Sequence, residues 1–378
     1  MHETGSTKTH AIFPPAVRGF APYAVTTRGP RDCPARESGR FVELEDLVEV
    51  PSFLRGMRRY ALDGALLLFD RRTGVTALCD GVETQHLRRR VPRVVQFAIT
   101  NACNLTCGFC SRDTTESSAW TLDSALALLR DLSHAGVLEV AFGGGEPFVF
   151  RGFTQLLHRL RAETELAVSV TTNGTRLDDA MLDAIAGAYA QLRVSVYDDT
   201  DWRTTIRRLA AHDAVFGVNY LVTPARLPQL EDTLAELVAL GCRDVLLLAY
   251  NGEDRALHLD PAVWAATATR ITNLARVFPR LALKLDICWG HRLAGVPQLF
   301  GVEACGAGSD FVVITSDGKL RPCSFHELAI PVATAADILR VWRDARAALA
   351  SPATRPGCAR SPDFGYGRLA KRLPLVQS

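Results

Sequence analysis

No apolar run in this chain approaches the length of a membrane-spanning helix. Neither sign of charge dominates. The 43 Lys and Arg stand against 41 Asp and Glu, a net charge of +2, so nothing global points to nucleic acid or a membrane surface. The opening residues, Met1-His2-Glu3-Thr4-Gly5, lack the basic stretch followed by an apolar one that marks a secretory signal. The expectation is a cytoplasmic protein with neither a nucleic-acid nor a membrane partner. Disulfides are rare in that compartment, so the ten cysteines read as metal ligands or buried thiols. At 378 residues, 48% hydrophobic and 22% charged, the chain is long and apolar enough for two or three packed domains.

One stretch organises the rest. Residues 101–112 read Asn-Ala-Cys-Asn-Leu-Thr-Cys-Gly-Phe-Cys-Ser-Arg, which spaces Cys103, Cys107 and Cys110 as C-x3-C-x2-C. The β-branched run just before it, 94–99, predicts a strand. Three thiols on a loop leaving a strand can converge on one soft metal centre. A structural zinc site needs a fourth ligand, and the next histidine is His134. Three ligands suit a centre that keeps one position open.

The chain around this loop divides into four parts. Residues 1–40 scatter Pro14, Pro15, Pro22, Pro30 and Pro34 without periodicity and predict an irregular or mobile tail. Residues 41–92 predict a small accessory hairpin, with strands at 64–70 and 75–79 and a turn at Arg72-Thr73-Gly74. The basic run Arg88-Arg89-Arg90 reads as a solvated face or as an attractor for an acidic peptide. From 93 to 287 strands alternate with helices. Strands are predicted at 137–142, 166–171, 192–197, 216–222, 245–250 and 281–287. Helices are predicted at 121–135, 153–162, 178–188, 202–212 and 228–240, with one more opening at Asp260-Pro261. That alternation implies a parallel sheet with right-handed crossovers. Residues 288–378 then carry Cys305, Cys323 and Cys358, a hairpin over 311–321 and a helix over 335–350. Cys79 and Cys242 read as small buried residues.

The cysteine spacing, with Phe109 before the third thiol, resembles the signature of radical S-adenosylmethionine (radical SAM) enzymes. In that family three cysteines hold a [4Fe–4S] cluster whose fourth iron is chelated by SAM. Reductive cleavage of SAM gives a 5′-deoxyadenosyl radical that abstracts a substrate hydrogen. The resemblance implies a partial (β/α)6 barrel of TIM type, with chemistry at the C-terminal ends of its strands. Gly143-Gly144-Gly145-Glu146-Pro147 resembles the motif that contacts the SAM amino group. Thr172-Asn173-Gly174 reads equally as a family "TNG" or as a turn. Ser195 matches the first residue of the family's Ser-x-Asp, while Tyr197 replaces its Asp. Asn219 is a candidate for the SAM ribose or carboxylate.

Twelve residues separate Cys305 from Gly318 and four separate Gly318 from Cys323. This resembles the start of SPASM and twitch domains, which hold auxiliary iron–sulfur clusters. The further cysteines of a full SPASM domain are missing, and Ser361 stands where a C-x2-C partner of Cys358 belongs. The resemblance therefore implies one auxiliary cluster on Cys305, Cys323 and Cys358. Its fourth ligand is open among Cys288, Asp363, substrate and solvent. Cys288 is alternatively a hydrogen-atom donor, as in radical SAM epimerases. The hairpin carrying Cys305 and Cys323 is expected to cap the open side of the barrel. No cobalamin-binding domain is evident. The implied substrate is a ribosomally made peptide, for crosslinking or epimerisation, or else a small molecule of natural-product biosynthesis. The implied electron donor is a flavodoxin or ferredoxin. A non-catalytic iron–sulfur protein is the competing class.

Overall fold

The structure is a computed structural model. It describes residues 7–12, 24–27, 48–110, 112–293, 296, 305–355 and 357–360. Two sheets organise it.

The larger sheet is built from β6 (Val94–Thr100), β7 (Glu139–Gly144), β8 (Ala167–Thr172), β9 (Gln191–Ser195), β10 (Phe216–Val222), β11 (Asp244–Ala249) and β12 (Ala282–Leu285), all parallel to their neighbours. Between them run α1 (Leu122–His134), α2 (Phe153–Glu163), α3 (Asp179–Ala184), α4 (Trp202–Ala211), α5 (Leu230–Ala239) and α6 (Trp264–Val277). This is the expected partial barrel. β7, β9 and β11 alternate between buried and half-buried residues over most of their length, whereas β10 is buried at every position after Phe216. Val95, Phe97, Ile99, Val140, Phe142, Val168, Val170, Leu192 and Val194 are buried in one core with Leu126, Leu129, Leu132, Leu156 and Ile206 of the helices. Each such side chain contributes about 1.5–3 kcal/mol by leaving water. The opposite face of the sheet carries Gln96, Ser169, Thr171, Arg193, Asp244 and Lys284, all half-buried, together with the buried Asn219 of β10. The lumen is therefore polar and the outer layer apolar.

Helix ends follow local chemistry. The Thr121 hydroxyl accepts the Ser124 N–H, and Asp178 and Asp201 cap α3 and α4 the same way. The helix expected from Asp260-Pro261 opens with a 3-10 turn, Pro261–Val263, before α6 begins.

Three expectations are corrected. First, residues 1–40 are not irregular throughout. β1 (Thr7–Ile12) and β2 (Ala24–Thr27) join β3 (Arg58–Ala61), β4 (Ala65–Phe69) and β5 (Thr76–Asp80) in an antiparallel sheet of order β2-β1-β5-β4-β3. The β4–β5 hairpin leaves an unpaired edge on β5, and the Thr-, Val- and Ile-containing segments supply the strands that cover it. Second, the helix expected over 335–350 breaks at Ala345 into α7 (Ala335–Asp344) and α8 (Arg346–Leu349).

Third, the C-terminal hairpin does not lie across the barrel's open end. β13 (Phe311–Ile314) pairs in parallel with β6 and extends the sheet, followed antiparallel by β14 (Lys319–Arg321) and β15 (Ile330–Pro331). The cause is Arg93. Its guanidinium bonds Asp310 at 2.8 Å and Glu139 at 2.7 Å, and the Asp310 carbonyl accepts the N–H of both Arg93 and Val94.

The N-terminal sheet docks at the other end of the barrel. Arg58 donates to the carbonyls of Val137 (3.2 Å) and Glu165 (2.9 Å), which precede β7 and β8, and the Tyr60 hydroxyl donates to Val91 O at 2.6 Å. It therefore sits away from the strand C-termini. No described helix is long and apolar enough to cross a membrane.

Candidate active site at the strand C-termini

The parallel register brings the ends of β6, β7, β8 and β9 to one edge. The cysteine loop leaves β6 there and folds over the end of β7. Gly145 N–H donates to Thr100 O at 2.7 Å and Glu146 N–H to Ala102 O at 2.9 Å. Two glycines make this approach possible. A Cβ on Gly144 would sit 2.3 Å from Thr100 O, and one on Gly145 would sit 2.2 Å from Ala102 O. A Cβ on Gly143 meets nothing within 4 Å. Gly144 and Gly145 thus serve the loop, while Gly143 lines open space on the lumen side.

Glu146 is fully buried at 0% exposure. Its Oε1 accepts from the Thr172 hydroxyl (2.8 Å) and Phe148 N–H (3.1 Å), and its Oε2 accepts from Asn173 N–H (2.7 Å). Burial raises its pKa, and these three donors oppose the shift. A carboxylate has about four acceptor positions, so one remains for an ammonium group. Asn173 continues the chain of contacts. Its Nδ2 donates to Asn104 Oδ1 at 3.0 Å and approaches Cys103 Sγ at 3.9 Å. The Thr172-Asn173-Gly174 end of β8 therefore holds the cysteine loop and is more than a turn.

Cys103 and Cys107 are partly buried and Cys110 is exposed. Leu105 N–H donates to Cys103 Sγ at 3.4 Å and Arg112 N–H to Cys110 Sγ at 3.5 Å. Such N–H···S contacts stabilise thiolate ligands and tune a bound cluster. Burial, the Asp199 carboxylate and the other two thiols push the Cys107 thiol up to about 11. The three sulfurs thus sense one another, yet no three His, Cys, Asp or Glu among the described residues converge tightly enough for a single ion. A four-iron cluster spreads its thiolates more widely. With the open space at Gly143 and the spare lone pair on Glu146, the donor set fits a cluster plus an amino-acid-like ligand.

Phe109 packs its ring on Tyr197 at 5.1 Å. Tyr197 in turn touches Ser195 and is pushed up to about 12, chiefly by burial. Ser195 and Asn219 are in-register partners on β9 and β10. Asn219 Oδ1 is engaged by Arg193 Nε at 2.9 Å, which leaves its amide nitrogen for a ligand. Below them Arg193 Nη2 bonds Asp244 Oδ1 at 2.9 Å, and Lys284 also pairs with Asp244.

The C-terminal hairpin touches this region at two points. Arg112 Nη2 reaches Ser324 Oγ at 3.4 Å, next to Cys323, and Trp120 Nε1 donates to Thr315 O at 2.9 Å. Arg360, two residues beyond Cys358, donates to the carbonyls of Cys305 and of Ala307 (2.9 Å). Asp363 lies outside the described residues. Sequence reasoning left Asn173 open and missed the contacts of Tyr197 and Asp286. Asn173 carried only half the weight it merits. Tyr197 read as a departure from a pattern, though an aromatic facing Phe109 could have flagged it. Asp286, whose carboxyl burial pushes up to about 7 at the end of β12, carried no signal.

Residues 97–210 match the family described as the Radical SAM superfamily. A GTP 3′,8-cyclase of Chlorobaculum tepidum is 34% identical over 275 residues, 64% of this chain and 81% of that one. A PqqA peptide cyclase of Gluconobacter oxydans is 26% identical over 269 residues, 64% of this chain and 73% of that one. In structure the chain is similar to Streptococcus suis SuiB. With S-adenosylmethionine bound the TM-score is 0.58 at 17% identity, over 68% of this chain and 66% of SuiB. With the precursor peptide SuiA bound the TM-score is 0.57 at 18% identity, over 68% of this chain and 65% of SuiB. The chain belongs to the radical SAM superfamily. It is an enzyme of that class, which uses a [4Fe–4S] cluster and SAM.

Proposed function

We propose that this enzyme removes a hydrogen atom from a ribosomally made peptide, with an auxiliary cluster beside the site. The observation that carries the reading is the junction of the cysteine loop with the ends of β7 and β8. Three thiols, an open glycine and a carboxylate with one spare lone pair meet there. The bound cluster and SAM supply the one-electron chemistry. Cys103, Cys107 and Cys110 would hold the iron. Gly143 and Glu146 would take the SAM ammonium, and Ser195 and Asn219 would meet its carboxylate or ribose. The Phe109–Tyr197 ring contact braces the loop against the end of β9. Cys305, Cys323 and Cys358 would hold the auxiliary cluster, and a flavodoxin or ferredoxin would deliver the electron.

Peptide chemistry is supported by likeness to the PqqA peptide cyclase. The fold shared with SuiB is compatible with it. The N-terminal sheet lies at the far end of the barrel, so it would anchor a leader segment rather than the reacting residues. A small-molecule substrate is the second reading. It is favoured by the likeness to GTP 3′,8-cyclases and by Arg193 and Lys284, two cations against the single Asp244 in the lumen.

Anaerobically reconstituted, reduced protein should cleave SAM to 5′-deoxyadenosine and methionine. Changing Cys103, Cys107 and Cys110 to Ala should remove about four of about eight irons and abolish the cleavage. Formation of S-adenosylhomocysteine instead would refute the hydrogen-abstraction chemistry. A product equal in mass to its substrate, carrying solvent deuterium, would identify an epimerisation.

A further inference from the structure

Cys288, just past the last barrel strand, is left without a task by the reading above. β12 ends at Leu285, and the chain turns through Ile287–Leu293 with a kink at Gly290 (φ 51°). That turn is pinned. Trp289 is buried and its Nε1 donates to Leu247 O at 2.8 Å. Cys288 packs against the main core as a result.

Two arginines then draw three distant segments together. Arg292, in the same turn as Cys288, donates to Gly357 O, beside Cys358. Arg360 donates to Cys305 O and Ala307 O. The β13–β14 hairpin, with Val313 opposite Arg321, brings Cys323 back toward Cys305. The Ala307–Phe311 bridge sets the Cys305 segment beside the same hairpin. The four segments that carry these thiols are thereby brought together, though among the described residues no three of the thiols converge tightly enough for a single ion.

We infer that Cys288 is the fourth protein ligand of the auxiliary cluster, delivered by the last barrel strand, so that every iron is thiolate-bound and none is open to substrate. This rests on the reading that Cys305, Cys323 and Cys358 hold a cluster. It replaces the position at which Ser361 cannot supply a thiolate. It also removes Cys288 as a hydrogen donor, because a ligand thiolate has no S–H to give.

The test uses the full chain with Cys103, Cys107 and Cys110 changed to Ala, so that the auxiliary cluster alone remains. Cyanide is the probe for an open iron, and the EPR spectrum of the reduced cluster is the readout. With Cys288 present the protein should keep about four irons and its spectrum should ignore cyanide. Cys288→Ala should either lose iron or become cyanide-sensitive. Cys288→Ser, which offers an oxygen ligand at the same place, should keep its iron with an altered spectrum, and it guards against simple misfolding of the Ala variant. A cyanide-sensitive spectrum with Cys288 intact, or an unchanged spectrum in the Ser variant, overturns the inference. An iron-free triple variant is a different failure: it removes the auxiliary cluster itself, and this ligand assignment with it.

Discussion

The two sets of thiols are positioned by opposite routes. Cys103, Cys107 and Cys110 lie within eight residues on one loop, and backbone contacts to the neighbouring strand end hold that loop. Cys288, Cys305, Cys323 and Cys358 span 71 residues, and arginine-to-carbonyl bonds and a short hairpin assemble them. The first group is a property of local sequence. The second exists only once the barrel has folded and β13 has docked on β6. A local site should survive damage elsewhere, whereas a distributed one should fail whenever one of its supports is lost.

The strongest way to break the comparison is a pair of glycine variants. Each region has one glycine pressed against a carbonyl. A Cβ on Gly145 would stand 2.2 Å from Ala102 O; one on Gly308, at φ +73°, would stand 2.1 Å from Leu349 O. Each substitution to Ala should cost on the order of 3 kcal/mol locally. Gly145→Ala should lose the SAM-cleaving half of the iron, and Gly308→Ala the auxiliary half. Iron analysis with a SAM cleavage assay separates the two. Loss of both clusters in both variants would show that the groups are not independent.

A variant in the shared scaffold should act on neither group selectively. Asp244 stands between Arg193 and Lys284 under the lumen. Burial opposes its charge, but the two cations hold its carboxyl below the usual range. Asp244→Ala strands both cations and should destabilise the whole protein by about 3–5 kcal/mol in chemical denaturation. The wild-type contribution has a definite pH sign. A depressed folded pKa means this stability is present above the unfolded value near 4 and fades as pH falls below it.

A smaller effect is expected at the clamp. Arg360→Ala removes three bonds, to the carbonyls of Cys305, Ala307 and Ala350, each worth about 0.5 kcal/mol at a half-buried position where water can replace them. Auxiliary iron should become labile to a chelator, while SAM cleavage continues.

The same contrast explains what could be read beforehand. The barrel was legible because its strands and helices carry two clear periods, and the cysteine loop because its ligands are adjacent. β1 and β2 were hidden by flanking prolines; their pairing depends on the β5 edge, which no local pattern announces. The parallel docking of β13 depends on Arg93, whose partners Glu139 and Asp310 are far away in sequence. Glu146 was legible as a motif residue, but its three donors were not. The grouping of Cys288 with the auxiliary thiols rests on arginine–carbonyl bonds, to which sequence spacing is blind.

The finest distinction between the groups is electrostatic, and it concerns the iron-free protein. Cys107 and Cys323 are both pushed up to about 11, chiefly by burial. Their secondary causes differ. Cys107 feels the exposed Asp199 carboxylate, whereas Cys323 feels Cys305 and Cys358. The thiolate is the reactive form, so alkylation by iodoacetamide should rise about tenfold per pH unit until the thiol titrates. At pH 8 both should react about two orders of magnitude more slowly than an unfolded cysteine of pKa near 8.5. The sign for stability follows. A raised folded pKa means the iron-free fold is favoured below about 8.5 and loses that contribution as pH climbs toward the folded value. Iron uptake must expel these protons, so it should grow more favourable over the same range. Asp199→Asn removes one charge from the cysteine loop alone. It should move the Cys107 profile to lower pH by a fraction of a unit and leave Cys323 where it was, as read by mass spectrometry of alkylated peptides. Equal movement of both profiles would mean that the two thiol groups share one electrostatic environment, and the division between a local and a distributed site would not extend to their charges.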